Sequence, residues 1–149
     1  MSLLTDIIFV KALQSDDTLL GQLPAGDVYN TSIALPDEEL DNAPLPYVVV
    51  SFDSLENDQS TKDGYEGETD TVNISIEVAA KTRKQLGDLT ERIRTTVREY
   101  FEAAQVAPLT EPYDELVPLD YQFSAAGVQY DSLKPCYWQV LSYQCDVNI

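Results

Sequence analysis

Histidine is absent from this 149-residue chain, methionine and tryptophan occur once each, and cysteine occurs twice. Without histidine the commonest general base and the commonest transition-metal ligand are missing, which removes Ser/His and Cys/His nucleophilic chemistry and His-based zinc sites. Basic residues are scarce as well: nine Lys and Arg stand against 26 Asp and Glu, a formal net charge of −17. A surface this acidic argues against direct binding to nucleic acid or to an anionic membrane. No apolar run approaches the roughly 20 residues that a membrane-spanning helix needs. The first ten residues lack the basic n-region and small-residue cleavage site of a signal peptide, and Asp6 interrupts them, so they read as mature structure. Cys136 and Cys145 fall in one predicted strand, roughly 30 Å apart by strand rise and on opposite faces, so they do not pair with each other. With no disulfide framework and no signal, the expected compartment is the reducing interior of a cell. A Gly-rich phosphate loop, Gly-x-Ser-x-Gly and Cys-x-x-Cys are also missing.

What is present is ample for one packed domain spanning residues 1–149. Hydrophobic residues make up 44% of the chain, with nine Tyr and four Phe, and the length lies in the usual range for a single core. The clearest stretch runs from position 69 to 104. Val72, Ile74, Ile76 and Val78 alternate with Thr71, Asn73, Ser75 and Glu77, the period of a strand with one face buried. Thr82 and Gln85 then have the spacing of a capping box, which starts a helix near Arg83. Behind that cap Leu86, Leu89, Ile93, Val97, Tyr100 and Phe101 form one apolar stripe, so a helix over about 83–103 must lie on a sheet.

Taken in order, residues 3–14 predict a first helix capped by Ser2, with Leu4, Ile7, Ile8, Lys11 and Ala12 on one side. Ser15-Asp16-Asp17 can cap a short second turn carrying Leu19, Leu20 and Leu23, which Pro24-Ala25-Gly26 ends. Val28-Tyr29 reads as a short extended piece. Residues 32–46 are too rich in proline and acid for a regular element. Tyr47-Val48-Val49-Val50-Ser51-Phe52 is a continuous apolar strand, expected at the centre of the sheet and paired with the strand from Thr69. Residues 53–68 between them read as a long polar connection. After the long helix, a connector over 106–118 leads to a strand over 121–130 with Gly127 at a bulge or bend. The last strand, over 136–147, puts Tyr137, Leu141, Tyr143, Cys145 and Val147 on one face and Trp138 and Val140 on the other, which implies cover on both sides, by its own fold or by another chain. The expected fold is therefore α+β: a mainly antiparallel sheet of about four strands, with the long helix and an N-terminal helix packed on it.

Six of the nine basic residues, Lys81, Arg83, Lys84, Arg92, Arg94 and Arg98, lie between positions 81 and 98. A solvated helix face with pairs such as Asp88 and Arg92 accounts for them. A basic helix on an acidic body also suits head-to-tail contact between copies, and both readings stay open. The acidic loop was tested against the calcium-loop template: with Gly64 at its sixth position, the first three ligands would be Gln59, Thr61 and Asp63, and the match fails. Asp58, Asp63, Glu66 and Glu68 could form a looser cation site, but solvated loop carboxylates are the better account of them. No spacing marks a catalytic carboxylate pair. Tyr137-Trp138 could stack nucleic-acid bases, yet such platforms need a cationic groove, and this chain carries the opposite charge. Neither a cofactor nor an enzymatic activity is expected.

The whole chain resembles a family. The N-terminal helix followed by Asp16-Asp17-Thr18-Leu19-Leu20, the step Gly26-Asp27-Val28-Tyr29, the strand Leu45-Pro46-Tyr47-Val48-Val49-Val50 and the passage from Val72–Val78 through Ala79-Ala80-Lys81-Thr82 into Glu91-Arg92-Ile93-Arg94 are similar to bacteriophage tail completion, or tail terminator, proteins. The likeness covers residues 1–105 and, more weakly, the final hairpin. It implies a structural virion protein that assembles as a homo-oligomeric ring, typically a hexamer, on the last ring of the tail tube protein. Such a ring stops tube growth and presents a surface to the head connector protein, and DNA passes through its lumen. The resemblance places the protein in the bacterial cytoplasm during assembly and then in the virion at the head–tail junction. It implies no membrane contact and no specific nucleic-acid binding. For the subunit or partner interface it directs attention to Arg92, Arg94 and Arg98, and to Asp58, Asp63, Glu66 and Glu68 of the acidic loop. A head-side connector or adaptor is the alternative within phage assembly. A monomeric acidic DNA mimic is the alternative from another class.

Overall fold

The structure, a computed structural model, describes residues 4–31, 44–58, 69–106 and 118–148. Three helices and six strands follow in the order α1 (Thr5–Gln14), α2 (Asp17–Gly21), β1 (Tyr29–Asn30), β2 (Tyr47–Asp58), β3 (Thr69–Ala80), α3 (Arg83–Val106), β4 (Pro118–Ala125), β5 (Gln129–Asp131) and β6 (Cys136–Asn148). The fold is α+β, as the periodicities predict, but with six strands rather than about four and with a mixed sheet. Its order is β1-β2-β3-β6-β4, with β5 also on β6. β1 runs parallel to β2, and every other pairing is antiparallel.

The long helix follows its sequence closely. Thr82 Oγ1 accepts from the Gln85 amide at 3.1 Å, while Gln85 Oε1 accepts from the Lys81 amide at 3.3 Å, so the box closes one residue earlier than a standard one. Leu86, Leu89, Ile93, Val97 and Phe101 are buried against the sheet and α1, each burial stabilising the fold by roughly 1.5–3 kcal/mol. α1 starts at Thr5 rather than 3, with Leu4 at its cap and no side-chain cap bond; Ser2 lies outside the described residues. Its buried face is Ile8, Phe9, Ala12 and Leu13, turned from the expected stripe because α1 touches both β2 and α3 and so needs a wider apolar arc. Asp16 caps α2 by accepting from the Leu19 amide at 3.1 Å. Gly26, at φ 71°, turns the chain toward β1 in the left-handed region that lacks a Cβ penalty.

Three strand expectations need correction. β2 does not stop at Phe52: it continues to Asp58 through a register shift between Phe52 and Ser54. The extra residue, Asp53, resets the alternation, so Leu55 returns to the apolar face and the second half of the strand reads as loop. The centre of the sheet is β3, which pairs with both β2 and β6 along its whole length, while β2 has only β1 beyond it. The strand expected over 121–130 is two strands, β4 beginning already at Pro118 and β5 at Gln129, with Gly127 in the break between them. There the Val140 carbonyl accepts from the Ala126 amide at 3.0 Å, and Gln139 Nε2 donates to the Ala126 carbonyl at 2.8 Å, which holds the break against β6.

α1 and α3 cover one face of the sheet, and α2 packs on both of them. Rows of paired residues cross it there: Phe52, Ile74, Tyr143 and Phe123, then Leu55, Val72, Cys145 and Tyr121. Phe9, Phe101, Tyr121, Phe123 and Tyr143 meet with ring centroids 5.1–5.6 Å apart, joining α1, α3, β4 and β6. Cys145 is buried in this layer and Cys136 is buried on the reverse face.

Candidate subunit interface

The reverse face of the sheet carries no described helix and is built from small polar side chains. Ser51, Ser75, Ser142 and Ser124 form one row, and Ser54, Asn73, Gln144 and Gln122 the next; Glu56, Thr71 and Asp146 follow. Hydrogen bonds within the face hold it. Ser75 Oγ donates to Asp53 Oδ1 at 3.1 Å, Asn73 Nδ2 to Ser54 Oγ at 2.9 Å and Thr71 Oγ1 to Asp146 Oδ1 at 3.1 Å. Asp53, Glu56 and Asp146 give these rows a negative charge that no Lys or Arg on them offsets. Toward the other end the face turns apolar, with Val49, Ala79 and Cys136 buried and Trp138 and Val140 half-buried. Glu77 lies there between Val49 and Val140 in register, and burial raises its carboxyl above the usual range. The cover expected on both faces of β6 therefore holds on the helix side, while the reverse face is open polar sheet over Ser142, Gln144 and Asp146.

The three arginines named from the sequence do not share an edge. Arg92 faces the corner between α1 and α2, where its Nε and Nη2 donate to Asp16 at 2.6 and 2.8 Å; the expected partner Asp88 is not the one it takes. Thr96 Oγ1 donates to the same carboxylate at 2.6 Å. Asp16 thus holds α2, α3 and its own helix cap with one side chain that is 8% exposed, and the Arg92 bond, joined by the Thr96 and Leu19 bonds, keeps its carboxyl well below the ordinary value. An open cleft of about 380 Å³ lies over this corner, between residues 15–17 and Thr96, Glu99, Tyr100 and Ala103 of α3. The carboxylate at its base is fully engaged in these bonds, which leaves it no lone pair suited to a general base. Arg94 and Arg98 point the opposite way, over β4: the Arg94 guanidinium sits 4.6 Å from the Phe123 ring centroid, and both charges reach Tyr121.

Of the acidic positions, Asp58 closes β2 opposite Thr69; Asp63, Glu66 and Glu68 lie outside the described residues. Among the described residues no group of three or more Cys, Asp or Glu is placed to hold a metal ion, and no helix is long and apolar enough to cross a membrane. Sequence reasoning found the cap that Asp16 makes but missed two other features, the second half of β2 and the pairing of Asp16 with Arg92. The polar half of the β3 alternation did signal the open face, whereas the pairing of Asp16 with a residue 76 positions away left no local trace.

Compared with known structures, the chain is similar to a chain of the virion of a native gene transfer agent (GTA) particle. The match covers 97% of this chain and 94% of that one, with a TM-score of 0.51 and 16% sequence identity. That likeness shows a shared fold. No protein-family model matches this chain, and neither does any curated protein sequence.

Proposed function

We propose that this chain is a non-enzymatic virion assembly protein of a phage or phage-like particle, which closes as a homo-oligomeric ring on the tail tube and helps form the head–tail junction. The observation that carries this reading is the end-to-end match of its fold to a chain of a gene transfer agent virion. With 97% of this chain and 94% of that one covered, the shared fold runs through nearly all of both chains rather than through a common substructure. Two features support it. The polar groups clustered around Asp16, beside an open cleft, are engaged in holding helices together. The open sheet face is polar and acidic, a surface that repels a passing DNA phosphate backbone instead of binding it. The subunit works in the bacterial cytoplasm during assembly and then in the virion, with the tail tube protein on one side and the head connector on the other.

Light scattering across protein and salt concentration, alone and with the tail tube protein, tests this reading. A closed oligomer, formed alone or on the tube, is the expected result. Binding to head-side rings and not to the tube would move the protein to the adaptor role. A monomer under every condition that captures a basic DNA-binding protein would replace the ring with an acidic DNA mimic.

A further inference from the structure

The charges at the two ends of α3 oppose its dipole. A helix favours acids in its first turn and cations in its last, yet the first turn of α3 has no acid and the last has no base. Lys81, Arg83 and Lys84 stand at its start, all exposed, with no acid between positions 78 and 87 to offset them. Glu99 and Glu102 stand toward its end and are exposed as well. Packing within the subunit explains neither set, because none of these side chains joins the core.

The acidic end borders the open cleft of about 380 Å³ at the corner of α2 and α3. Asp16 at its base is held by Arg92 and Thr96, but Asp17 and Glu99 line it from exposed positions. Three acids against the single Arg92 leave the cleft net negative. Tyr100 and Ala103 add an apolar strip beside them. Acids next to a half-buried ring suit a lysine or arginine, whose stem packs on the ring while its head pairs with the carboxylates.

We infer that the basic start of α3 in one copy docks in the acidic cleft of the next, with Arg83 and Lys84 meeting Asp17 and Glu99. The contact rests on the ring assembly proposed above and names a surface that closes it. A single chain cannot make it, since Arg83 and Glu99 lie about 24 Å apart along the helix axis. Like-with-like contact is disfavoured: two starts would set cation against cation, and two clefts acid against acid. The remaining pairing is head-to-tail, the heterologous kind that repeats around a ring. It also brings the positive end of one α3 dipole toward the negative end of the next, which relieves the mismatch at both.

Charge reversal tests the contact. One variant reverses the start, with Arg83→Glu and Lys84→Glu, and another the cleft, with Asp17→Lys and Glu99→Lys; Asp16 and Arg92, which hold the fold, are left alone. All four side chains are exposed, and Glu99→Lys by itself serves as a cleft variant that leaves α2 untouched. Urea unfolding checks that each variant is folded, and light scattering reads its mass alone and on the tube protein. Each variant by itself is expected to lose the closed oligomer. Mixing the two restores it, because the reversed start fits the reversed cleft and the native start the native cleft, and a chain bearing all four changes assembles unmixed. A folded variant that still forms the native oligomer would overturn the contact and leave the ring intact. Losses that neither the mixture nor the four-change chain repairs would overturn it too. Absence of any oligomer from the native protein, alone or on the tube, would overturn the contact and the ring reading together.

Discussion

Replacing Asp16 should damage this fold more than replacing the arginine it binds. Three separate bonds converge on its carboxylate: the Leu19 amide of the α2 cap at 3.1 Å, the Thr96 hydroxyl at 2.6 Å and the Arg92 guanidinium. Loss of a helix cap costs about 0.5–2 kcal/mol. Thr96, only 8% exposed, would lose its acceptor at a cost of about 1–3 kcal/mol. The Arg92 pair is half in solvent, since the Arg92 side chain is 45% exposed, and is the weakest of the three. Because these effects share one carboxylate they are not additive. Asp16→Ala should therefore destabilise the protein by about 2–4 kcal/mol, whereas Arg92→Ala should cost clearly less. Urea unfolding with an unchanged slope measures both. The pH dependence has a fixed sign. The folded-state carboxyl is held below its ordinary value of 3.8, so the charge-dependent stabilisation is fully present above that value and is lost as pH falls through the lower folded value. The stability gap between the native protein and Asp16→Asn should hold at neutral pH and shrink progressively below about pH 4. An Asp16→Ala cost under about 0.5 kcal/mol, or a gap that does not change with pH, would refute the convergence argument.

Tyr143 is 1% exposed and its hydroxyl has no hydrogen-bond partner among the described residues, so Tyr143→Phe should leave stability unchanged or raise it by about 1 kcal/mol in thermal unfolding. Glu77 is raised by burial, which makes its ionised form a liability above its unfolded value of 4.5. Glu77→Gln should raise Tm by about 1–2 °C at pH 7 and leave it unchanged near pH 4, as calorimetry at the two pH values would show. Ile93, fully buried where α3 meets the sheet, should cost about 2–5 kcal/mol as Ile93→Ala by urea unfolding.

The local periods carried much of this fold. A strand of alternating residues over 72–78, a capping box at Thr82 and a five-residue buried stripe on α3 could be read directly, because each follows from the repeat of a single element and from side chains close in sequence. The polar alternation of β3 likewise foretold a face without helices. What failed locally was whatever a neighbour decided. The second half of β2 hid behind one bulged residue, Asp53, whose cost and register are set by pairing with β3. β5 has only three residues, too few for a period, and exists because β6 supplies its bonds. Of the candidate interface, Arg94 and Arg98 were legible as a basic pair at helical spacing. Arg92, two residues before Arg94, falls on the other side of the helix, and only the fold shows that it turns to Asp16 across 76 positions. The sequence by itself determined the elements and the charge of their surfaces. Only the tertiary structure decided which arginine is held within the subunit and which face of the sheet the helices pack on, because a chain's local pattern specifies each element's faces but not which element comes to lie against them.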